Sequence, residues 1–556
     1  MRISNRRPLS NALVMLRAFF ILCFFTSTSS WAELVYRNAN ITIGANQYQG
    51  KLGYLVAPEN RNNPDSRSIK VAFLQIQSQK PSVKQAVFRF HGGPDNDAQL
   101  GEKLPLDFLS QLDFSQTSTI DIDFDISKRA YAQFLNFSDL VLIDGRGMGL
   151  SQPHLACPTS PEPVELMKPF AERQLIMKNL LLQCKDWLIS TGADLKGYNL
   201  VEITEDIEAI RSDLGYPKIS IYGGSFGTQT AFAYLKKYSH RVKAAALVGI
   251  EGLAHSYDRP AQVQAASLKL IDMMNQDEAL TDILPEGDMA YTLNSIFKEL
   301  QDNPRSYKIK SPEGNTLEIP FNADTARILL SANGMLLKRG DTKESRGGGA
   351  AAIPPIALAL YHKVYDGIAK DIEKNYVKFR NNSVFNAAVN LVDCASSGSN
   401  ERLEEIKQDV ASIPNFYVDS LSYGGLQGAY PDLYCQYWGD IKLPNSFRDK
   451  FSSPTPIILI NGRFDGATPL DNSKEIHQQM PNSHLILVAN AAHTSDEIFY
   501  YQPDLLQQTS EFLQTGSIPK NLPSEVSLPP VKFKTLPSWV VFLFNIGLGN
   551  QLMALQ

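Results

Sequence analysis

One serine of the chain sits among glycines, in Gly223-Gly224-Ser225-Phe226-Gly227, between the apolar run ISIY and the helical pattern FGTQTAFAYL. The stretch fits G-x-S-x-G, and its chemistry depends on the flanking elements. If a strand turns straight into a helix here, the serine takes a strained backbone that only small neighbours tolerate. Its Oγ is pushed out of the chain, and the helix dipole favours negative charge developing beside it. The bland alternative is turn punctuation, so the remaining partners decide. A serine hydroxyl is a weak nucleophile until a base takes its proton and an acid orients that base.

Eight histidines limit the search for the base. His493 follows the apolar run HLILVANA in the short loop AAHTS, and Asp465 follows PIILINGR in RFDGATP. Both stand where strands end, the place at which open α/β sheets hold their sites. The order Ser225, Asp465, His493 is that of a serine hydrolase on such a sheet. Read singly, His493 is a surface or capping histidine and Asp465 a turn former beside Gly466; the joint order favours a triad. Asp471 is the second choice for the acid. Acyl transfer also needs donors for an oxyanion. The N–H of Phe226 is one expected donor, and the glycine loop His91-Gly92-Gly93-Pro94 after AVFRF offers others, since glycine leaves backbone N–H groups unobstructed.

The elements that must hold these residues can be read from the pattern. Tyr36 to about Gln79 alternates apolar and polar residues with Asn/Pro/Asp-rich breaks, which predicts antiparallel strands at one edge of a sheet. The runs AVFRF (86–90), DLVLI (139–143), KISIYG, VKAAALVGIEG, TPIILING and HLILVANA read as buried strands alternating with helices, hence a mostly parallel sheet. In TEDIEAIRSDLG, Ile207, Ile210 and Leu214 keep helical spacing, with Thr204 as expected N-cap and Gly215 past the end. From Ala254 to Ser446 helical patterns dominate, broken by the glycine-rich RGDTKESRGGGAAAIPP. The expected organisation is a signal peptide (1–32), an α/β core in two parts (33–253 and 447–556) and a helical insertion (254–446). No internal repeat emerges.

Composition narrows the class. The chain has 556 residues, ample for more than one domain, and a formal charge of −5, which gives no basis for nucleic-acid binding. Four arginines precede the apolar run Ala18–Phe25, and small residues lead to Ala32, the plan of a secretion signal. The run is shorter than the ~20 residues that span a bilayer, and Leu22 before Cys23 argues against a lipid anchor. Loss of those four arginines lowers the 53 basic residues to 49 against 58 acidic, so the exported chain would carry −9. Cys157, Cys184, Cys394 and Cys435 then remain as an even set with no C-x-x-C pair of the zinc-binding kind. Local bridges Cys157–Cys184 and Cys394–Cys435 are the simplest of three connectivities, free buried thiols the alternative. The apolar Ser538–Gly549 is too short to cross a membrane and reads as a docked segment. No metal or organic cofactor is implied.

HGGP, DGRGMGLS (Asp144–Ser151), YGGSFG, GRFDGATP and AAH, in that order, resemble the motifs of the α/β-hydrolase family of prolyl and tripeptidyl aminopeptidases. The resemblance extends from His91 to His493, and CQYW from Cys435 matches a segment of the larger exported members. It implies the α/β-hydrolase fold with a large cap, Ser225 as nucleophile, His493 as base, Asp465 as acid, and Gly92 and Gly93 in the oxyanion hole. It further implies peptide substrates carrying a free α-amine. Glu251, in LVGIEG at a strand end, is the residue expected to meet that ammonium, a solvated loop acid being the alternative. Asp95 stands where the family has glycine; its carboxylate would narrow the site or attract the amine. VDCASS around Cys394 follows the family only loosely, which leaves substrate preference open. A carboxylesterase or lipase would use the same triad, and a non-catalytic scaffold would have lost one of its members.

Overall fold

The structure, a computed structural model, describes residues 33–537 and 540, apart from 81–83, 94–99, 102, 124–128, 333–337, 342–347, 378–379, 381–385, 414–431 and 494. The expected signal peptide and nearly all of the apolar C-terminal stretch fall outside the described residues, as does Asp95.

Thirteen strands are described: β1 (Glu33–Ile43), β2 (Asn46–Pro58), β3 (Ser68–Ile76), β4 (Ala86–Phe90), β5 (Ile120–Asp123), β6 (Asp139–Ile143), β7 (Ile219–Gly224), β8 (Val242–Val248), β9 (Arg305–Lys310), β10 (Thr316–Phe321), β11 (Ile457–Gly462), β12 (Ser483–Ala489) and β13 (Glu525–Ser527). Eleven of them form one sheet in the order β13-β12-β11-β8-β7-β4-β6-β3-β2-β1-β5. From β13 to β6 every neighbour is parallel, and β6-β3-β2-β1 is antiparallel. The antiparallel edge read from alternation is therefore present, with one addition. β5, a four-residue IDID, pairs parallel to β1 and forms the outermost strand.

The central strands are apolar on both faces because both are covered. Ile219, Ile221, Ala245, Leu247, Ile457 and Leu459 pack into one core together with Ile207, Ile210, Phe232 and Ile476. Their alternates Tyr222, Ala244, Ala246, Ile458 and Ile460 pack into a second core with Leu505 and Phe512. The helices responsible are α1 (Leu200–Asp213), α2 (Phe226–Tyr238) and, later, α6 (Leu470–Gln479) on the first face, with α7 (Pro503–Thr515) on the second. α1 begins four residues before the expected Thr204: Asn199 is its N-cap, Oδ1 accepting the N–H groups of Val201 and Glu202, and Gly215 beyond its end has φ 75°.

Between β8 and β11 the chain builds most of a third core, with Leu270, Met274, Leu293, Phe297, Ile309, Phe321 and Leu358, to which Val164, Met167, Phe464, Ala492 and Val531 also contribute. α3 (Pro260–Asn275) packs into this core, whereas α4 (Ala387–Ser396) packs into the first core and α5 (Asn400–Ser412) into a small cluster with Tyr257. Beside its helices the segment between β8 and β11 holds an antiparallel hairpin, β9 and β10 around SPEGN. Their short alternating runs, YKIK and LEIP, carry a period of two that a helical reading overlooks. Disulfides join Cys157 to Cys184 and Cys394 to Cys435. Among the described residues no helix is long and apolar enough to cross a membrane, and no group of three His, Cys, Asp or Glu is placed to hold a metal ion.

Candidate active site

β7 turns into α2 through Ser225, whose φ 55° and ψ −130° lie outside the regions a side chain prefers. Such a residue persists only where its surroundings over-determine it, at a cost of about 1–3 kcal/mol. Here they do. The Ser225 N–H is held by the Val248 carbonyl at 2.9 Å. A methyl group on Gly227 would lie 2.1 Å from the Phe90 carbonyl oxygen, and one on Gly223 2.8 Å from Leu247 Cδ2. The glycines thus let α2 start hard against the ends of β4 and β8. Ser225 makes no capping hydrogen bond to its own helix.

β4 delivers the glycine loop to the same place. Gly92 faces the serine, since a methyl there would sit 3.4 Å from Ser225 Cβ, and Gly93 follows at φ 108°. His91 Nδ1 and the Gly92 carbonyl lie 2.6 Å apart. Phe226 is the first residue of α2, so its N–H has no acceptor within the helix.

β11 and β12 lead into the residues expected as acid and base. A methyl on Gly462 would lie 2.1 Å from the Ala492 carbonyl oxygen, so the two strand ends and their loops are in contact. Asp465 is 1% exposed. Its Oδ1 accepts the N–H groups of Ala467 and Thr468, both at 2.9 Å, and its Oδ2 accepts the Thr468 hydroxyl at 2.8 Å. The same Oδ2 lies 2.9 Å from His493 Nδ1, which is also 3.2 Å from Thr468 Oγ1. The Nδ1–H tautomer follows, leaving Nε2 free to accept a proton. Burial drives the His493 pKa down, but the Asp465 carboxylate, by charge and hydrogen bond, and the Asp258 charge outweigh it, so the imidazole titrates above its ordinary 6.5. Gly249, at φ 66°, lies under the ring: a methyl there would come within 2.8 Å of His493 Cε1. It is the residue next to Val248, the acceptor of the Ser225 N–H, so serine and imidazole meet over one strand end. Asp471 instead pairs with Lys474 at 2.9 Å on the exposed side of α6.

Glu251 lies just past β8, half-buried, its N–H on Thr228 Oγ1 at 2.8 Å. Two further carboxylates act on it: Asp258 and, from α4, Asp393. Burial, with the charges of Asp258 and Asp393, raises the Glu251 pKa well above its ordinary 4.5. Burial pushes Asp393 up to about 8, and burial with the Asp465 charge pushes Asp258 up to about 7 against the pull of Arg402. Arg402 is buried on α5 and bonds the Tyr257 carbonyl and Asn472 Oδ1 at 2.8 and 3.0 Å. Glu251 thus feels the charges of Asp258 and Asp393, and Asp258 in turn acts on Asp465 and His493. Of the three acids the sequence singled out Glu251; Asp258 follows shortly after it and Asp393 lies far along the chain on α4, neither within a motif. Thr468 lies within the motif RFDGATP, but nothing in the sequence marks it as a partner of Asp465.

Residues 135–271 match the family model described as alpha/beta hydrolase fold, and residues 423–524 the one described as TAP-like protein. The serine protease Hip1 of Mycobacterium tuberculosis and that of Mycobacterium bovis are each 23% identical over 403 residues, covering 66% of this chain and 70% of theirs. Among solved structures, a proline iminopeptidase-related protein from Thermus thermophilus aligns over 84% of this chain and 99% of its own, with 12% identity and TM-score 0.33. A meta-cleavage product hydrolase from Pseudomonas fluorescens aligns over 81% and 96%, with 12% identity and the same TM-score of 0.33. With a mostly parallel sheet flanked by helices and a matching family model, the chain has the α/β-hydrolase fold and is a serine hydrolase of that type.

Proposed function

We propose that the chain is an exported serine exopeptidase that releases N-terminal residues, proline among them, or short peptides. Ser225 Oγ attacks the carbonyl carbon while His493 Nε2 takes its proton, and Asp465 stabilises the imidazolium through Nδ1. The N–H groups of Phe226 and of the Gly92–Gly93 loop hold the oxyanion. The C–N bond then breaks, His493 returns the proton to the leaving amine, and water hydrolyses the Ser225 acyl-enzyme by the same route. Peptidase activity is supported by the TAP-like match and by the serine protease relatives. Export is supported by the two disulfides, which persist in oxidising compartments.

The observation that supports the exopeptidase reading is the set of acids Glu251, Asp258 and Asp393: the charges of Asp258 and Asp393 act on Glu251, and that of Asp258 on His493. Glu251, Asp258 and Asp393 offer three carboxyl groups, and the Arg402 charge acts on Glu251 and Asp258. An α-ammonium entering there gains charge-assisted hydrogen bonds in a partly dry site, while an acetylated amine gains none. Segment 254–446 acts as a cap that closes this end and excludes longer N-terminal extensions.

The test is hydrolysis by residues 33–556 of proline-, alanine- and tripeptide-linked fluorogenic amides, each with a free and an acetylated amine, beside a short-chain ester. Cleavage confined to free-amine amides and lost in Ser225→Ala is expected. Ester turnover indifferent to the amine would replace this reading with a carboxylesterase, and activity surviving in Ser225→Ala would overturn the mechanism.

A further inference from the structure

Arg339, fully buried, has no part in the chemistry above. It belongs to the segment between β8 and β11, yet its guanidinium reaches residues that follow β12 and β13. Nη1 donates to the carbonyls of Asn490 and Pro529 at 2.6 and 2.7 Å, and Nη2 to that of Pro530 at 3.2 Å. Asp341 supplies the counter-charge, its carboxylate oxygens lying 3.0 Å from Nε and 2.7 Å from Nη2. The Tyr501 ring lies 4.9 Å from the same guanidinium.

The backbone of the arginine is itself held on both sides. Its N–H donates to the Glu497 carboxylate at 3.0 Å, and its carbonyl accepts the Ala351 N–H at 2.8 Å. The Lys338 carbonyl accepts the Ala350 N–H at 2.9 Å, so 338–339 and 350–351 are paired. The close approach needs Gly340, where a methyl would lie 1.6 Å from the Gly348 carbonyl oxygen. The Ala351 carbonyl in turn accepts the Lys534 N–H at 2.8 Å, which ties this platform to the segment of Pro529 and Pro530.

What the guanidinium grips is the start of the loop that carries the base. β12 ends at Ala489, and Asn490 follows with φ 56°, a backbone that a residue with a Cβ keeps only where its surroundings fix it. Asn490 Nδ2 donates to the Leu528 carbonyl at 2.9 Å, and the Asn490 carbonyl accepts from Arg339. From there the chain runs through the buried Ala491 and Ala492 to His493. The Ala491 carbonyl accepts the N–H of Phe464, the residue before Asp465, at 3.2 Å. Every link between Arg339 and the Asp465–His493 pair is thus a described contact or a described stretch of chain.

We propose that Arg339 is a positioning residue for the base: by binding the Asn490 carbonyl it fixes the loop from which His493 meets Asp465, so the inserted segment helps set the catalytic geometry of the core. The proposal rests on reading His493 as the base. Without the guanidinium, three carbonyls lose a charge-assisted donor, and Asn490 can relax toward a negative φ and carry the loop with it.

The experiment compares Arg339→Met with Leu52→Ala in residues 33–556. Leu52 is buried on β2, across the sheet from β12, and controls for loss of stability alone. Well below the melting midpoint of each variant, four quantities are measured: kcat and KM on the preferred free-amine amide, the pH midpoint of kcat, and the rate of Ser225 labelling by a fluorophosphonate. Both variants are expected to melt earlier. In Arg339→Met, kcat and labelling should fall together by about five- to fiftyfold, with KM within about threefold. The pH midpoint should move down toward 6.5, because the charge and hydrogen bond of Asp465, with the Asp258 charge, are what raise His493. Labelling within about twofold of the unmodified rate, an equal loss in Leu52→Ala, or an unmoved pH midpoint would each overturn the proposal. If Arg339→Met does not fold, Arg339→Met with Asp341→Leu, which removes the buried ion pair as a unit, is read in its place. Turnover by His493→Gln at the unmodified rate, or by Ser225→Ala, would instead overturn the underlying reading.

Discussion

Gly249→Ala tests the placement of His493 without touching a reacting group. A methyl on Gly249 would sit 2.8 Å from His493 Cε1, 3.0 Å from Nδ1 and 3.1 Å from Thr468 Oγ1. Carbon–carbon contacts settle near 3.5–4.0 Å, so the ring must retreat by roughly 0.7 Å or more. The Nδ1···Asp465 distance of 2.9 Å leaves little room for that retreat, because N–H···O bonds lengthened beyond about 3.2 Å weaken steeply. A misplacement approaching 1 Å costs up to about a hundredfold in rate. The φ of 66° adds a backbone penalty of about 1–2 kcal/mol for a residue with a Cβ. The expected outcome is a folded enzyme, slightly less stable, whose rate of Ser225 labelling by a fluorophosphonate falls about ten- to a hundredfold, with kcat falling in parallel. Labelling within twofold of the unmodified rate would refute the placement of the imidazole over this strand end.

Four further outcomes are expected. Thr468→Val removes a hydroxyl bond to the buried Asp465 carboxylate, a charge-assisted bond worth about 1.5–3 kcal/mol. It should lower kcat about tenfold or more, and Thr468→Ser should restore most of it. His493 must be neutral to accept a proton, and its pKa is raised, so kcat should climb with pH through a value above 6.5; a midpoint below that would contradict the assigned environment. Glu251→Gln with Asp258→Asn should raise KM for free-amine amides about tenfold or more, with little change for a neutral ester, in steady-state kinetics. Replacing Cys394 and Cys435 by serine opens a bridge across 41 residues. The chain-entropy estimate of about 4 kcal/mol should appear as a lower midpoint in denaturant, and weaker free-amine preference should follow, since Cys394 adjoins Asp393.

The sequence was most informative where chemistry and backbone geometry are local. The elbow was legible because Gly223 and Gly227 are required by contacts within one strand–turn–helix unit and its neighbouring strands. Asp465 and His493 were legible because each follows an unmistakable apolar strand, and adjacent parallel strands bring their ends together. The position of Glu251 just past β8 was legible by the same rule. Asp258, Asp393 and Arg402 were not, because their meeting depends on how the inserted segment returns to the core, a long-range packing outcome without a periodic signature. β5 and β13, of four and three residues, are too short to show a pattern and exist because a neighbouring edge pairs with them. α1 begins at Leu200 rather than after Thr204 because Asn199 offers the better cap; Thr204 Oγ1 bonds back to the Leu200 carbonyl at 2.7 Å inside the helix.

The most direct test of the account is identification of the covalent intermediate. The protein, residues 33–556, would be mixed with a nitrophenyl ester of its preferred free-amine acyl group, quenched in acid and mapped by mass spectrometry. The account predicts a single adduct of that acyl mass on Ser225, absent for the acetylated ester at equal concentration and absent in Ser225→Ala. An active enzyme that carries the acyl group on another residue, or acquires it equally from the acetylated ester, would contradict it.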